Sequence, residues 1–220
     1  MPGTLALVGG AEWRDGCDFD NDLLAVNGAT EVLVLPTGAA YEHPDHLIDW
    51  ATRWFGDLGA TVRPLRVLTR RDALDPVNVE PIVSARFIYL AGTSPMHLRS
   101  VLKDSPVWDA LVAAWEGGAT LAGTSAGAMV LCDPMVDPRG GALTLGLGLL
   151  TQLAVIPHHD TWSEEKAHRT LKIAPSGMPI AGVDERSALL RAPDGTWSTA
   201  GAGAVTIYVD GKEADLSALP

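Results

Sequence analysis

The sequence predicts an α/β protein with a mostly parallel sheet, helices on both faces, and antiparallel strands toward the C-terminus. Three features indicate this fold class. Short apolar runs end in glycine or proline, longer segments with helical periodicity lie between them, and close-set strands with turn residues follow residue 178. Continuously apolar strands that alternate with amphipathic helices are typical of a parallel sheet covered on both faces.

The first part of the chain supplies the parallel strands and the helices between them. The predicted strands are LALVGG (5–10), EVLVLPTG (31–38), TVRPLRVLT (61–69), RFIYLAGTS (86–94), TLAGTSAG (120–127) and LAVIP (153–157). Residues 42–59 and 105–118 have apolar residues at helical spacing, which predicts an amphipathic helix in each segment.

The last part of the chain predicts antiparallel strands at the end of the sheet. The segments are IAGVD (180–184), SALLRAP (187–193), TWSTAG (196–201) and AVTIYVDG (204–211). Asp-Gly pairs at 194–195 and 210–211 are typical of hairpin turns. Because the sequence has no internal repeat or linker, residues 1–220 are predicted to form one domain.

Composition and charge argue against several classes of partner and of cellular compartment. The formal net charge is −11 without a basic cluster, which argues against nucleic acid or an anionic membrane surface as a partner. Cys17 and Cys132 are too few for a disulfide framework and are consistent with a reducing compartment. The chain lacks a signal-peptide pattern and an apolar run of about 18–20 residues that would span a bilayer. We therefore expect a cytoplasmic protein.

The stretch GTSAG places Ser125 between Gly123 and Gly127, where an apolar strand is predicted to turn into a helix. This G-x-S-x-G pattern is typical of a nucleophile elbow, a strained turn that exposes a serine hydroxyl above a sheet. The alternative is an ordinary glycine-rich turn in a βα unit. Two other predicted strand ends, at 9–15 and 91–97, also carry polar residues. Ligands gather at the carboxyl ends of parallel strands, which favours the nucleophile.

A serine nucleophile needs a histidine base that a carboxylate holds in place. His158 and His159 follow the strand LAVIP, whereas the other four histidines lie in polar or helical stretches. The alternative is an exposed histidine pair in a loop. Asp184 and Glu185 follow another strand end, and at most one of two adjacent acids on a strand can reach the histidine.

An oxyanion hole needs two backbone N–H groups. The N–H of Ala126 follows the nucleophile, and Gly92 lies in the glycine corner AGTS. The alternative for Gly92 is a simple strand-to-helix turn.

The stretches GTSAGAMVL, LAGTSPMHL, VIPHHD and GVDERSALL together resemble peptidase family S51, which includes cyanophycinase and aspartyl dipeptidase (peptidase E). The resemblance covers most of the chain. It implies a flavodoxin-like three-layer sandwich similar to class I glutamine amidotransferases. It also implies that Ser125 is the nucleophile, His158 the general base and Glu185 the acid, with no cofactor or metal.

The chain departs from the family in its specificity residues. The stretch 140–150 has no carboxylate, which favours Glu185 as the acid, and the segment after His158 is not rich in arginine as in cyanophycinases. The predicted substrate-binding residues are Thr93, His159, Arg14 and Arg186. The acidic residues Glu12, Asp15, Glu164 and Glu165 suit a free amino terminus or a basic side chain equally well.

The sequence therefore predicts a serine peptidase that hydrolyses short peptides, with a homodimer as the alternative to a monomer. An α/β-hydrolase esterase is a rival, although such enzymes need a late histidine and the last one here is His168. A catalytically silent binding module of the same fold is a second rival. A cysteine-type amidotransferase is disfavoured by the serine in GTSAG, and a metal site at His158–Asp160 is a further alternative.

Overall fold

Strands and helices alternate along most of the chain, and the computed structural model describes residues 1–220. The strands are β1 (Leu5–Val8), β2 (Glu31–Gly38), β3 (Thr61–Pro64), β4 (Phe87–Gly92), β5 (Thr120–Thr124), β6 (Cys132–Asp133), β7 (Met135–Val136), β8 (Leu143–Thr144), β9 (Leu150–Thr151), β10 (Ala154–Pro157), β11 (Ile180–Val183), β12 (Ser187–Arg191), β13 (Trp197–Gly201), β14 (Val205–Val209) and β15 (Lys212–Ala214). The helices are α1 (Phe19–Val26), α2 (Pro44–Asp57), α3 (Arg70–Leu74), α4 (Glu80–Val83), α5 (Pro95–Leu102), α6 (Pro106–Glu116), α7 (Ala126–Leu131) and α8 (Glu164–Lys172).

The main sheet has seven strands in the order β13-β12-β1-β5-β4-β2-β3. The five strands from β1 to β3 in this order are parallel to their neighbours, and β12 and β13 are antiparallel at one edge. The prediction of a mostly parallel sheet with antiparallel C-terminal strands is confirmed. The parallel order brings the carboxyl ends of β1, β4 and β5 to one edge of the sheet.

Three of the predicted strands, however, do not join the main sheet, namely LAVIP, which forms β10, and two of the C-terminal strands, β11 and β14. β11 and β14 belong to a second sheet with the order β10-β11-β14-β15, in which β10 and β11 are parallel. The strand at the antiparallel end of the main sheet, β13, has no buried residue. In the second sheet all four β11 residues are buried, because this sheet packs on the larger core.

The main sheet separates two apolar cores, so the fold is a flavodoxin-like three-layer sandwich. Alternate residues of β1 contribute to different cores because strand side chains point to opposite faces. Leu5 and Leu7 belong to a cluster of 37 buried residues, and Ala6 and Val8 belong to a cluster of 20. Helices α5, α6 and α7 cover the first face, and α1 and α2 cover the second.

Helices α5 and α6 begin with the same local signal, a serine followed by proline. Ser94 accepts a hydrogen bond from the N–H of His97, and Ser105 accepts one from the N–H of Trp108. Each serine is followed by proline, which suits the first helical turn. None of the helices has both the length and the apolar composition needed to cross a membrane.

Candidate active site

Ser125 lies in the turn between β5 and α7, at the carboxyl edge of the main sheet. Its backbone has φ 50° and ψ −108°, a conformation that residues other than glycine seldom adopt. The surrounding structure therefore holds this residue in a strained position, with its side chain partly exposed.

The two glycines beside Ser125 allow α7 to pack closely on the sheet. A Cβ atom on Gly123 would lie 2.6 Å from the carbonyl carbon of Gly127, and one on Gly127 would lie 2.3 Å from the carbonyl oxygen of Leu90. Both contacts involve backbone, which cannot move away as a flexible side chain would. The spacing of the two glycines thus reflects a steric requirement of this turn.

Ser125, His158 and Glu185 form a continuous chain of hydrogen bonds. Ser125 Oγ and His158 Nε2 are 2.9 Å apart, and His158 Nδ1 and Glu185 Oε1 are 2.8 Å apart. The carboxylate of Glu185 accepts a hydrogen bond from the Nδ1–H group of His158, which leaves Nε2 free to accept the serine proton. His158 and Glu185 side chains are 33% and 34% exposed, so the chain of hydrogen bonds is open to a ligand.

The backbone of residues 8–10, at the end of β1, holds three segments of the site together. The carbonyl oxygens of residues 8–10 accept, in order, the N–H groups of Ser125 at 2.9 Å, His158 at 2.7 Å and Arg186 at 2.8 Å. The imidazole also lies directly against Gly10, where a Cβ atom would be 2.1 Å from its Cε1 atom. Short segments far apart in the sequence are thereby positioned by one strand end.

The second histidine and the second acid form a separate pair. His159 Nδ1 lies 3.4 Å from Asp184 Oδ1, and its Nε2 lies 3.4 Å from the hydroxyl of Tyr208. Asp160 accepts a hydrogen bond from the backbone N–H of Glu185 at 3.0 Å. The structure thus places one acid of the 184–185 pair on each histidine, and only Glu185 contacts His158.

The predicted oxyanion donors flank the serine. Ala126 is the first residue of α7, where backbone N–H groups have no partner within the helix. Gly92 ends β4 with φ 125° and lines a cavity that also contains Ser125 and His158.

Two cavities meet at Ser125 and His158, and Thr93 lines both. The first, of about 330 Å³, is here called the acidic cavity; its other lining residues include Glu12, Glu42, His43, His46 and Trp50. The second, of about 460 Å³, is called the Lys166 cavity; its other lining residues include Met129, Trp162, Ser163 and Lys166. A larger cavity of about 600 Å³ lies at the amino ends of β4 and β5, away from these groups.

The structure brings only some of the predicted substrate-binding residues to these cavities. Thr93 is exposed there, and its hydroxyl donates to Glu42 Oε2 at 2.5 Å. Arg14 and Arg186 are exposed but line neither cavity, and His159 also lies outside both. Of the four acidic residues considered from the sequence, Glu12 alone lines either one.

Sequence reasoning did not select Glu42, Trp50 or Lys166. Lys166 lies on α8 with its ammonium 3.6 Å from the centre of the Trp162 ring, and burial lowers its pKa. Lys166 lies in the segment after His158, which was noted in the sequence only because it is not rich in arginine. Glu42 lies in the turn that precedes α2, and Trp50 lies within α2, where the helical pattern predicts the helix but not which exposed residues face a cavity.

The remaining nucleophile and metal candidates are not arranged like this triad. Burial raises the pKa of Cys17 to about 11 and that of Cys132 to about 12, so both thiols stay protonated near neutral pH. His158, His159 and Asp160 point to different partners, and no three His, Cys, Asp or Glu side chains are grouped for an ion.

Several known proteins are similar to this chain in sequence and in fold. A curated cyanophycinase from Nostoc sp. is 27% identical over 217 residues, which is 93% of this chain and 72% of the relative. One from Geminocystis herdmanii is 26% identical over 95% of this chain and 81% of the relative. A solved structure of a peptidase from an acI-B1 Actinobacterium has a TM-score of 0.84 and 31% identity, over 97% of this chain and 93% of that chain.

A second solved structure, of a peptidase E candidate from Listeria monocytogenes EGD-e, shares the fold. Its TM-score is 0.67 at 15% identity, over 95% of this chain and 99% of that chain. The sequence profile of peptidase family S51 matches residues 5–196, which include every residue of the Ser125–His158–Glu185 chain. The protein therefore belongs to peptidase family S51.

Proposed function

We propose that the protein is a serine peptidase that hydrolyses short peptides through a triad of Ser125, His158 and Glu185. The observation that carries this proposal is the unbroken hydrogen-bond chain from the serine hydroxyl through the imidazole to the carboxylate. Membership of peptidase family S51 supports the hydrolysis of peptide bonds.

In the first half of the reaction, Ser125 Oγ attacks the peptide carbonyl carbon while His158 Nε2 accepts the hydroxyl proton. Glu185 stabilises the imidazolium through its contact with Nδ1. In this mechanism the N–H groups of Ala126 and Gly92 bind the negative oxygen of the tetrahedral intermediate. The C–N bond then breaks, and His158 returns the proton to the leaving amine, which leaves an acyl group on Ser125.

In the second half, a water molecule attacks the acyl carbon. His158 takes one proton from this water and delivers it to Ser125 Oγ as the ester bond breaks. The carboxylic acid product leaves and the hydroxyl is restored. The two cavities beside Ser125, about 330 Å³ and 460 Å³, suit residues on the two sides of the scissile bond of a short peptide.

The first test compares the wild-type protein with Ser125→Ala on a panel of dipeptides and tripeptides. The panel includes Asp-X, β-linked Asp-Arg and X-Arg peptides together with a simple ester. Because the triad acts as a unit, Ser125→Ala should lower turnover by several orders of magnitude. The matched control is Ser198→Ala, the same change in the exposed edge strand β13, which should keep full activity.

The outcomes separate the proposed function from its rivals. Peptide hydrolysis that Ser125→Ala retains at the wild-type rate would contradict the serine mechanism. Hydrolysis of the ester alone would favour an esterase. A protein without activity that depends on Ser125 would be a binding module of the same fold.

A further inference from the structure

Glu12 and Glu42 line the acidic cavity and have no cationic partner within the protein. Glu12 accepts a hydrogen bond from Thr124 Oγ1 at 2.9 Å, and Glu42 accepts one from Thr93 at 2.5 Å. Neither carboxylate takes part in any of the ion pairs of the structure. Both side chains are thus fixed by neutral hydroxyl groups, and their negative charge is not compensated.

The fold brings these two carboxylates together from separate segments. Glu12 follows β1, and Glu42 lies in the turn between β2 and α2. Two like charges at one cavity repel each other, and a cation bound in the cavity would relieve this repulsion. The charge of Glu12 also acts inward, since it adds to burial, the main cause, in raising the pKa of Asp20.

Trp50 also lines the acidic cavity and is 55% exposed to solvent. The face of an indole attracts ammonium and guanidinium groups. No lysine or arginine lines this cavity, and its two histidines, His43 and His46, carry charge only when protonated. Two unpaired carboxylates and an aromatic face provide the chemistry that recognises a positively charged nitrogen.

The cavity on the other side of Ser125 has the opposite charge. Lys166 lines it, and no carboxylate does. A peptide that spans Ser125 therefore meets negative charge on one side of the scissile bond and positive charge on the other. This difference gives a bound peptide a preferred direction, because a cationic group is attracted to Glu12 and repelled by Lys166.

We propose that the acidic cavity is the subsite for a positively charged group of the substrate, which Glu12 and Glu42 bind against Trp50. This group is either the N-terminal ammonium or the side chain of an arginine or lysine next to the scissile bond. The proposal rests on the proposed function, since the subsite is defined by its position beside Ser125.

The experiment uses peptide pairs that differ by one charge. In one pair the N-terminus is free or acetylated, and in the other an arginine is replaced by the neutral analogue citrulline. Each pair is assayed at about pH 7, where a free N-terminal amine is mostly protonated and an ordinary histidine is mostly neutral. The variants are Glu12→Gln, Glu42→Gln and the double change, because glutamine still accepts the threonine hydrogen bonds. Glu31→Gln is the control for net charge, because Glu31 is exposed and begins β2, at the amino ends of the parallel strands and away from the site.

For the charged member of a pair, each cavity variant should lower kcat/KM by about tenfold, as expected for one charge-assisted hydrogen bond. The neutral member should respond little, and Glu31→Gln should leave both unchanged. The pair that responds identifies the cationic group as the N-terminus or the side chain.

Equal effects of the cavity variants on charged and neutral peptides would overturn the subsite, while hydrolysis that depends on Ser125 would still support the peptidase. Binding of the same peptides to Ser125→Ala, measured by calorimetry, tests the subsite without turnover. Preference for the charged peptide in that titration, lost in Ser125→Ala with Glu12→Gln, would support the subsite even if the proposed hydrolysis failed. No preference there would overturn it.

Discussion

Three residues at the candidate active site adopt backbone conformations that side chains seldom take. Ser125, His158 and Arg186 have φ values of 50°, 51° and 58°. Each costs on the order of 1–3 kcal/mol in strain, which the surrounding structure must offset. Their N–H groups all donate to the carbonyls of residues 8–10, so a single strand end holds the strained residues in place.

Glu185→Gln tests the acid of the proposed triad. Glutamine has nearly the same shape, but its amide does not stabilise the imidazolium or fix the tautomer of His158. We expect kcat to fall by about 10³–10⁴-fold, as for other triads that lose their carboxylate, with little change in KM or Tm. Steady-state kinetics and a thermal melt measure both quantities.

Asp184→Asn is the matched control for Glu185→Gln. It changes the neighbouring acid, whose Oδ1 faces His159 and whose Oδ2 accepts the N–H of Ala204 at 3.0 Å. This variant should keep most of kcat. A larger loss in Asp184→Asn than in Glu185→Gln would mean that the proposed acid is assigned to the wrong residue.

Residue types in short motifs made part of the site predictable. The glycines around Ser125 and the proline before His158 are local signals, and they led to the two residues that the structure joins by a hydrogen bond. Adjacent acids could not be separated by spacing, and the family resemblance favoured Glu185. Glu42 and Lys166 were missed because a single charged residue in a loop or helix has the same sequence pattern whether it faces solvent or a cavity.

At the scale of elements, α7 contacts β4 and β5 more closely than ordinary side chains permit. Gly127 faces the carbonyl of Leu90 in β4, and Gly123 in β5 faces the backbone of Gly127. The helix carries Ala126 at its first position, beside Ser125. Any displacement of α7 would therefore also move the proposed nucleophile and oxyanion donor.

Gly127→Ala tests this packing. The new methyl group would meet the Leu90 carbonyl oxygen at 2.3 Å, so the helix must shift. We expect the free energy of unfolding to decrease by about 1–3 kcal/mol, as for other overpacked sites. Chemical denaturation measures the change, and turnover should fall in parallel because Ser125 moves with the helix.

Gly56→Ala is the same substitution in a different environment. No atom lies within 4 Å of the added methyl group, and alanine favours the helical backbone of α2. We therefore expect a gain of about 0.5–1 kcal/mol in the free energy of unfolding. Similar losses at both positions would contradict the steric explanation for the glycine spacing.

The elements themselves were predictable to different extents. The helices at 44–57 and 106–116 have strong apolar periodicity, and the apolar runs of the parallel strands end at turn residues. The pairing of β11 with β10 in a second sheet was missed. Pairing depends on contacts far apart in the sequence, and a strand of four apolar residues looks the same in either sheet.

At the scale of the whole molecule, the smaller core under one face of the main sheet contains several buried polar groups. The smaller core contains a buried acid, Asp20, whose Oδ2 accepts a hydrogen bond from Trp54 Nε1 at 2.9 Å. Its other oxygen, the hydroxyl of Tyr89 and the indole N–H of Trp13 are buried without a protein partner. Trp13, the residue after Glu12, belongs to this core, and after burial the charge of Glu12 also raises the pKa of Asp20.

Burial raises the pKa of Asp20 well above its usual range, and the Trp54 hydrogen bond opposes the shift only in part. The folded protein therefore keeps a proton on Asp20 over a range of pH where the unfolded chain has lost it. Because the native state binds the extra proton there, the contribution of Asp20 to stability falls as pH rises from the ordinary aspartate pKa through the folded pKa.

Asp20→Asn removes this titration and keeps an oxygen that accepts the Trp54 hydrogen bond. We expect the variant to gain stability over the wild-type protein as pH rises from about 5 to about 8, with a slope of at most about 1.4 kcal/mol per pH unit, the value for one proton. Urea denaturation at several pH values measures this difference. Asp22→Asn, on an exposed position of the same helix, should show a nearly constant difference from the wild-type protein. A constant difference for Asp20→Asn as well, or a wild-type advantage that grows with pH, would mean that Asp20 is ionised in the folded protein and that a partner for its charge exists in the smaller core.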